Sequence, residues 1–355
     1  MSGKTPGGNF FEDFSLGRTL VHGTPRTVGE GEQSLYIALT GARHVLHSAR
    51  PVAHALGYRD RPLDDLLVFH LAFGKTVPDI SLNAVANLGY ADARFLRPVH
   101  AGDTLSAEST VIGLKENSNR KSGIVWVRST ALNQNGEEVL GWIRWVMVHK
   151  RDPASPAPET VVPELPARVG PERLAAPPCL DARGFETAAT GGPWLWDDYE
   201  PGEAIVHPGG MTLEEADHTL ATRLYQNTAK VHFDALAMEA TPFGRRLVYG
   251  GHVISVCRAL SYDGLENVLA IAAINGGSHC HPTFAGDTLY ARSEVLEKWA
   301  LPGRRDLGAL RLRLLGLKNR PAADVPSIPE ENGQRRYPPE VVLDLDYTVL
   351  LPRRP

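Results

Sequence analysis

The chain has 355 residues, 37 Lys+Arg against 41 Asp+Glu, a formal net charge of -4, 43% hydrophobic and 22% charged residues. At about 100–200 residues per domain this length suggests two cores, and such a composition excludes a wholly disordered chain. The slight acidity and the lack of a basic run interleaved with aromatics argue against a nucleic-acid partner, and no apolar stretch reaches the ~18–20 residues of a membrane span.

In chain order, the Gly-rich Met1–Asn9 shows no signal-peptide core. Thr27 reads as a helix cap or near-cap before acidic Glu30 and Glu32, with a short helix through Leu35–Leu39. Leu63–Val77 is apolar nearly all round, as in a helix buried inside its module. Leu105–Leu114, Ser122–Asn133 and Glu138–His149 alternate like strands, and Asn135-Gly136 marks a hairpin. Lys150–Arg173 carries Pro153, Pro156, Pro158, Pro163, Pro166 and Pro171, which favours an extended linker. The pattern then restarts. Thr212 precedes Glu214 and Glu215, Leu220–Leu224 reads as a short helix, and Gly251–Leu260 as a buried one. Val268–Asn275, Thr288–Leu296, Leu307–Leu317 and Val341–Leu351 read as strands, with Pro321–Pro339 as a surface loop before the last. Helices followed by a long antiparallel run make the fold α+β, unlike the alternating βαβ of a nucleotide-binding sheet.

The restart is a duplication. Glu12–Gly17 is answered 185 positions later by Asp197–Gly202, and the same offset pairs Val21-His22 with Val206-His207, Leu39 with Leu224 and His47 with His232. At an offset of 184, Phe95–Leu105 answers His279–Leu289, with six of eleven positions identical. Such register over about 90 residues points to two copies of one module. The expected organisation is residues 1–150, a linker at 151–173, and residues 174–355.

A buried helix inside an antiparallel sheet, with the tract Pro-x-x-Ala-Gly-Asp-Thr-Leu in each copy, resembles the MaoC-like enoyl-CoA hydratases in their tandem, double hot-dog form. More narrowly, Leu39–His47 together with Tyr225–Asp234 resembles the mesaconyl-CoA (2-methylfumaryl-CoA) hydratase group, also described as β-methylmalyl-CoA dehydratase. The resemblance implies a hydro-lyase acting on an acyl-CoA thioester without metal or redox cofactor. Its superfamily signature is Asp-x-Asn-Pro-x-His. His232 takes the His place and Asn227 the Asp place; in the first copy His47 takes the His place, but Ala42 stands where the Asp would be. Neither copy keeps the full dyad.

Hydration of a double bond conjugated with a thioester needs a base for water, a proton for the α-carbon and donors for the thioester oxygen. Histidine suits the proton work, so His232 is the expected acid/base, with Asn227 positioning water. Asp234 is the nearest carboxylate in sequence that could complete a relay, and Asp64 and Asp65 are alternatives. His47 is a second centre, a packing relic or a substrate-binding residue. Tyr249, Gly250 and Gly251 open the second buried helix, where free N–H groups form an oxyanion hole; the resembling hydratases have a His-Gly pair there. A mesaconyl group carries a free carboxylate that a buried cation should hold, and Lys230 and Arg43, in the two signature loops, are the candidates.

His279-Cys280-His281 puts two histidines on one strand face without a third ligand nearby, which argues against a metal. Three cysteines without metal spacing suit a reducing cytoplasm, and a homodimer is the default assembly. Rival readings are a plain (R)-specific 2-enoyl-CoA hydratase or thioesterase on the same fold, or a non-catalytic acyl-CoA-binding subunit.

Overall fold

The structure is a computed structural model that describes residue 4, residues 7–331 and residues 334–354. Of the Gly-rich stretch Met1–Asn9, residues 1–3, 5 and 6 lie outside the described residues.

The first copy runs through strands β1 (Thr19–Val21) and β2 (Arg26–Thr27), helices α1 (Glu30–Thr40), α2 (Val45–Ser48), α3 (Arg50–Ala55) and α4 (Asp65–Thr76), then strands β3 (Ala84–Phe95), β4 (Thr104–Glu116), β5 (Ser122–Leu132) and β6 (Glu138–His149). The second copy repeats the plan with β7 (Ala204–Thr212), α5 (Glu215–Leu224), α6 (Ala235–Glu239), α7 (Gly250–Leu260), β8 (Ala270–His279), β9 (Thr288–Ala300) and β10 (Leu307–Lys318). A small hairpin, β11 (Glu330–Glu331) and β12 (Gln334–Arg335), precedes the closing strand β13 (Val341–Pro352). The sequence places α4 and α7 within a residue or two. It missed β3, whose Ala-, Asn- and Gly-rich run Ala84–Gly89 lacks the β-branched alternation of its neighbours.

Both copies contribute to one antiparallel sheet in the order β1-β4-β5-β6-β3-β8-β13-β10-β9-β7, with β2 beside β4. The two halves meet at its centre. There β3 pairs β8 in the register Tyr90↔Gly277, Ala91↔Gly276, Ala93↔Ile274 and Arg94↔Ala273. Edges that would otherwise invite association are thereby paired within the chain.

Helix α4 buries every residue from Leu66 to Thr76, and α7 every residue from Gly251 to Ala259. Their apolar side chains join those of both half-sheets in a common core that includes Phe69, Phe73, Trp142, Tyr225, Ile254 and Tyr347. Small residues let the halves interlock. A Cβ on Gly74 of α4 would lie 1.9 Å from the Tyr225 carbonyl oxygen, so the chain after α5 rests directly on α4.

The expected threonine caps are not caps. Thr27 and Thr212 sit in strands and reach across to Thr104 and Thr288, hydroxyl to hydroxyl, at 2.7 and 2.8 Å. Helix α1 is capped instead at Gly29, whose N–H donates to the Glu32 carboxylate at 2.9 Å. A threonine three residues before the helix is already committed to the β-ladder, so its hydroxyl serves the strand pair. Two buried histidines keep the duplication in register: His22 and His207 each lie 2.8 Å from a serine hydroxyl, Ser109 and Ser293 respectively.

Candidate active site

After each first helix the chain turns and presents a histidine toward the N-terminus of the buried helix. In the second copy Gln226 takes a left-handed φ of 54°, Asn227 is buried, and His232 ends the single turn Lys230–His232. In the first copy Gly41 supplies the left-handed residue at φ 70°, and His47 lies in α2. Both rings are held alike. His232 Nδ1 donates to the Leu247 carbonyl at 3.0 Å, and His47 Nδ1 to the Pro62 carbonyl at 3.3 Å. A carbonyl oxygen can only accept, so Nδ1 carries the proton and Nε2 is left as the basic nitrogen.

The two helix N-termini differ in a way that separates the centres chemically. At α4 the Asp64 carboxylate caps the Leu66 N–H at 2.9 Å, and Asp65 follows it. An anion approaching there meets two carboxylates. At α7 the cap residue is Tyr249, with no side-chain cap bond. The first α7 amide with a main-chain acceptor is that of His252, which donates to the Tyr249 carbonyl, so among the described residues the Gly250 and Gly251 N–H groups have no acceptor. Those two donors, at the positive end of an eleven-residue helix, are arranged to receive a developing oxyanion.

Neutral polar rings surround His232. Its ring packs edge-on against Tyr249, centroids 5.4 Å apart, and Tyr249 is 5.6 Å from His70 and 5.9 Å from Tyr225. His279 lies 3.1 Å from the Tyr90 hydroxyl through Nε2. His232 keeps some solvent contact as a residue, yet desolvation pulls its imidazole down to about 4; His252 and His279 are drawn to about 4 for the same reason. At neutral pH all three rings are uncharged, and Nε2 of His232 is a free base. Several buried polar atoms nearby lack partners: the Tyr249 and Tyr225 hydroxyls, both nitrogens of His252 and His70 Nδ1. Such a concentration of unsatisfied groups marks a place built for a polar ligand or water.

Around His47 the character is ionic. Its Nε2 is 4.0 Å from the Asp65 carboxylate, which accepts the Ile271 N–H at 2.7 Å. Burial raises the Asp65 carboxyl to about 6, with the His47 charge opposing. His44, Asp64 and buried Arg258 line this small cleft together with the apolar run Val268–Ile271.

The remaining expected residues sit as follows. The Asn227 side-chain oxygen accepts the Ala229 N–H at 3.0 Å, holding the loop that leads to His232. Asp234 caps α6 through the Ala237 N–H at 3.0 Å. Lys230 is exposed. Arg43 is exposed as well, stacked over Tyr262 at 4.3 Å and paired with Asp263 at 2.9 Å. Neither cation is buried as a carboxylate anchor would be. Among the described residues no carboxylate forms an ion pair with His232. Asp64 and Asp65, considered as completing its relay, belong to the His47 centre.

Sequence reasoning missed the Tyr90–His279 pair and the buried guanidinium of Arg144, which lies 4.2 Å over the Phe73 ring. His279 carried a signal, since it replaces Phe95 at the equivalent place. Tyr90 and Arg144 carried none, because they come together only through the β3–β6 register that pairs Tyr90 with Arg144.

Comparison with known proteins agrees with this architecture. A family model described as mesaconyl-CoA hydratase matches residues 3–323. The chain is 57% identical over 354 residues to the β-methylmalyl-CoA dehydratase of Chloroflexus aurantiacus, covering 100% of both chains. It is 56% identical over 352 residues to the mesaconyl-CoA hydratase of Cereibacter sphaeroides, covering 99% of this chain and 100% of that one. A solved structure from C. aurantiacus, described as a MaoC domain protein dehydratase, superposes with a TM-score of 0.96 at 57% identity over 100% of both chains. A Mycobacterium tuberculosis protein described as a double hotdog fold gives a TM-score of 0.73 at 25% identity, covering 98% of this chain and 99% of that one. The fold is therefore a double hot-dog of the MaoC-like type. With its sheet, its helices and nearly its whole length accounted for in this way, the chain belongs to the mesaconyl-CoA hydratase family.

Proposed function

We propose that this protein is a hydro-lyase that adds water reversibly to mesaconyl-CoA, giving β-methylmalyl-CoA, and that the chemistry takes place at the N-terminus of α7. The observation that carries the choice of centre is the pair of acceptor-free amides at Gly250 and Gly251, beside a histidine whose tautomer is fixed. The thioester oxygen accepts from these amides, so negative charge arriving on it during addition is stabilised by donors that need no reorganisation. His232 Nε2 takes a proton from water as the oxygen bonds to the β-carbon. The resulting imidazolium returns that proton to the α-carbon, so one O–H bond of water and the C=C π bond are exchanged for a C–O and a C–H bond and no net charge is left. A single neutral imidazole can serve both steps, which suits a centre without the superfamily's aspartate. Tyr249, Tyr90 and His279 wall the acyl group, and Asn227 sets the loop rather than the water.

At the His47 centre the Leu66 amide is already taken by the Asp64 carboxylate, and Asp64 and Asp65 place carboxylates where the oxyanion would form. It supports a structural or accessory role. No helix among the described residues is long and apolar enough to cross a membrane. The finer inference of a cytoplasmic homodimer rests on three free thiols and on exposed Leu236 and Phe243, and sedimentation of the purified chain tests the dimer.

The test of the activity is the loss of enoyl-thioester absorbance on mixing purified protein with mesaconyl-CoA, with β-methylmalyl-CoA identified as product. Release of free thiol without hydration would instead indicate a thioesterase, and saturable binding without turnover an acyl-CoA-binding subunit.

A further inference from the structure

Arg144 stands on β6 with 0% exposure, and its charge is answered by no carboxylate among the described residues. One terminal nitrogen donates to Thr76 Oγ1 at 2.7 Å, and both terminal nitrogens lie 3.4 Å from Ser81 Oγ, a weak contact. Nε has no acceptor. Asp79, on the same turn as Ser81, is taken by His22 at 2.7 Å. Burial lowers the guanidinium to about 10, so it remains a cation at neutral pH. Burying a cation with only hydroxyl partners is costly, and a packed apolar side chain would avoid that cost. The sequence keeps the charge and leaves a donor unused.

Its position connects it to the proposed centre. The guanidinium carbon lies 4.2 Å from the Phe73 centroid, and Phe73 is 5.8 Å from the centroid of Tyr249, the residue that caps α7. On the strand side Arg144 pairs directly with Tyr90, whose hydroxyl meets His279. Arg144 thus faces the same group of rings as His232, but from the far side. A trans four-carbon diacid places its two carboxyl carbons about 4 Å apart, as across a trans peptide unit, and the guanidinium fork adds its own reach.

We propose that Arg144 is the anchor for the free carboxylate of a dicarboxylic acyl thioester, and so the residue that selects such substrates over simple enoyl-CoA chains. This rests on the hydratase reading given above. Thr76 and Ser81 orient the guanidinium, Phe73 supports its face, and the free Nε and a terminal N–H meet the carboxylate. Lys230 and Arg43 stay with solvent and Asp263.

The test uses the full chain and two pairs of CoA thioesters. Succinyl-CoA and butyryl-CoA have the same carbon count and cannot be hydrated, so their binding is independent of turnover. Wild-type protein is expected to bind succinyl-CoA at least tenfold more tightly by calorimetry, and R144K to lose most of that preference. With mesaconyl-CoA and crotonyl-CoA, R144K should lower kcat/KM for the former about a hundredfold more than for the latter. Equal losses on both substrates, or no preference of the wild type for succinyl-CoA, overturns the proposal. A wild type that prefers succinyl-CoA yet does not hydrate mesaconyl-CoA would refute the hydratase reading while leaving the carboxylate anchor standing.

Discussion

The imidazole of His279 lies over the α-carbon of Gly250, so near that a Cβ on Gly250 would come within 2.6 Å of its Cε1. The ring cannot simply swing aside, because its Nε2 is held by the Tyr90 hydroxyl at 3.1 Å. Gly250 therefore exists to let a ring close over the first turn of α7 while its amide stays open. Gly250→Ala should displace His279 and with it the acyl wall. A fall in kcat of roughly 10- to 100-fold is expected, the size of effect that misplacing a preorganised donor produces. Steady-state kinetics alongside near-ultraviolet circular dichroism checks it, the second to show that the core is intact.

Gly74 makes a comparable test of how the catalytic loop is held. A methyl there would lie 1.9 Å from the Tyr225 carbonyl oxygen, which backbone atoms cannot yield without moving α4 away from the chain that leads to His232. Gly74→Ala should destabilise the fold by about 1–3 kcal/mol despite the better helix propensity of alanine. It should also reduce activity more than that loss of stability accounts for. Chemical denaturation and specific activity of the folded fraction, measured together, separate the two effects.

The duplication singled out the two histidines from the sequence alone. His47 and His232 share an offset of 185 residues, and the structure extends that register to Pro62 and Leu247, whose carbonyls hold the two rings. Helices α4 and α7 were readable for a simpler reason: unbroken apolar runs of that length leave few alternatives to a buried helix. What stayed hidden depended on long-range pairing. Strand β3 lacks a β-branched pattern because its Gly89 lies under the Trp145 ring, where a Cβ would come within 2.3 Å, and that neighbour belongs to β6. The contrast between the two helix ends was likewise invisible, since Asp64 reads equally as a proton carrier and as a cap until its bond to the Leu66 amide is seen.

Acid should unfold this protein through its histidines. His207, His232, His252 and His279 are all drawn down to about 4 by desolvation, against about 6.5 in an unfolded chain. Between those values the unfolded chain binds protons that the folded one refuses, so stability falls as pH drops from about 6.5 toward 4. Asp65, raised to about 6, acts in the opposite sense over the same range, with one proton against as many as four. Net proton uptake on unfolding near pH 5 is expected, and denaturant midpoints measured from pH 7.5 to 4.5 should decline steadily. Midpoints that stay level or rise over that interval would show the rings to be charged in the folded state.

The sharpest question is which of two equivalently held imidazoles does the work. His232 faces open amides, and His47 faces carboxylates. The deciding measurement is the rate of mesaconyl-CoA hydration by His232→Gln and His47→Gln, each shown to be folded. Loss of a positioned general base costs typically 10²–10⁴-fold, and that loss is expected for His232→Gln, with His47→Gln staying within about tenfold of the parent. The reverse pattern, with His47→Gln inactive and His232→Gln still turning over, would contradict the account and move the reaction to the N-terminus of α4.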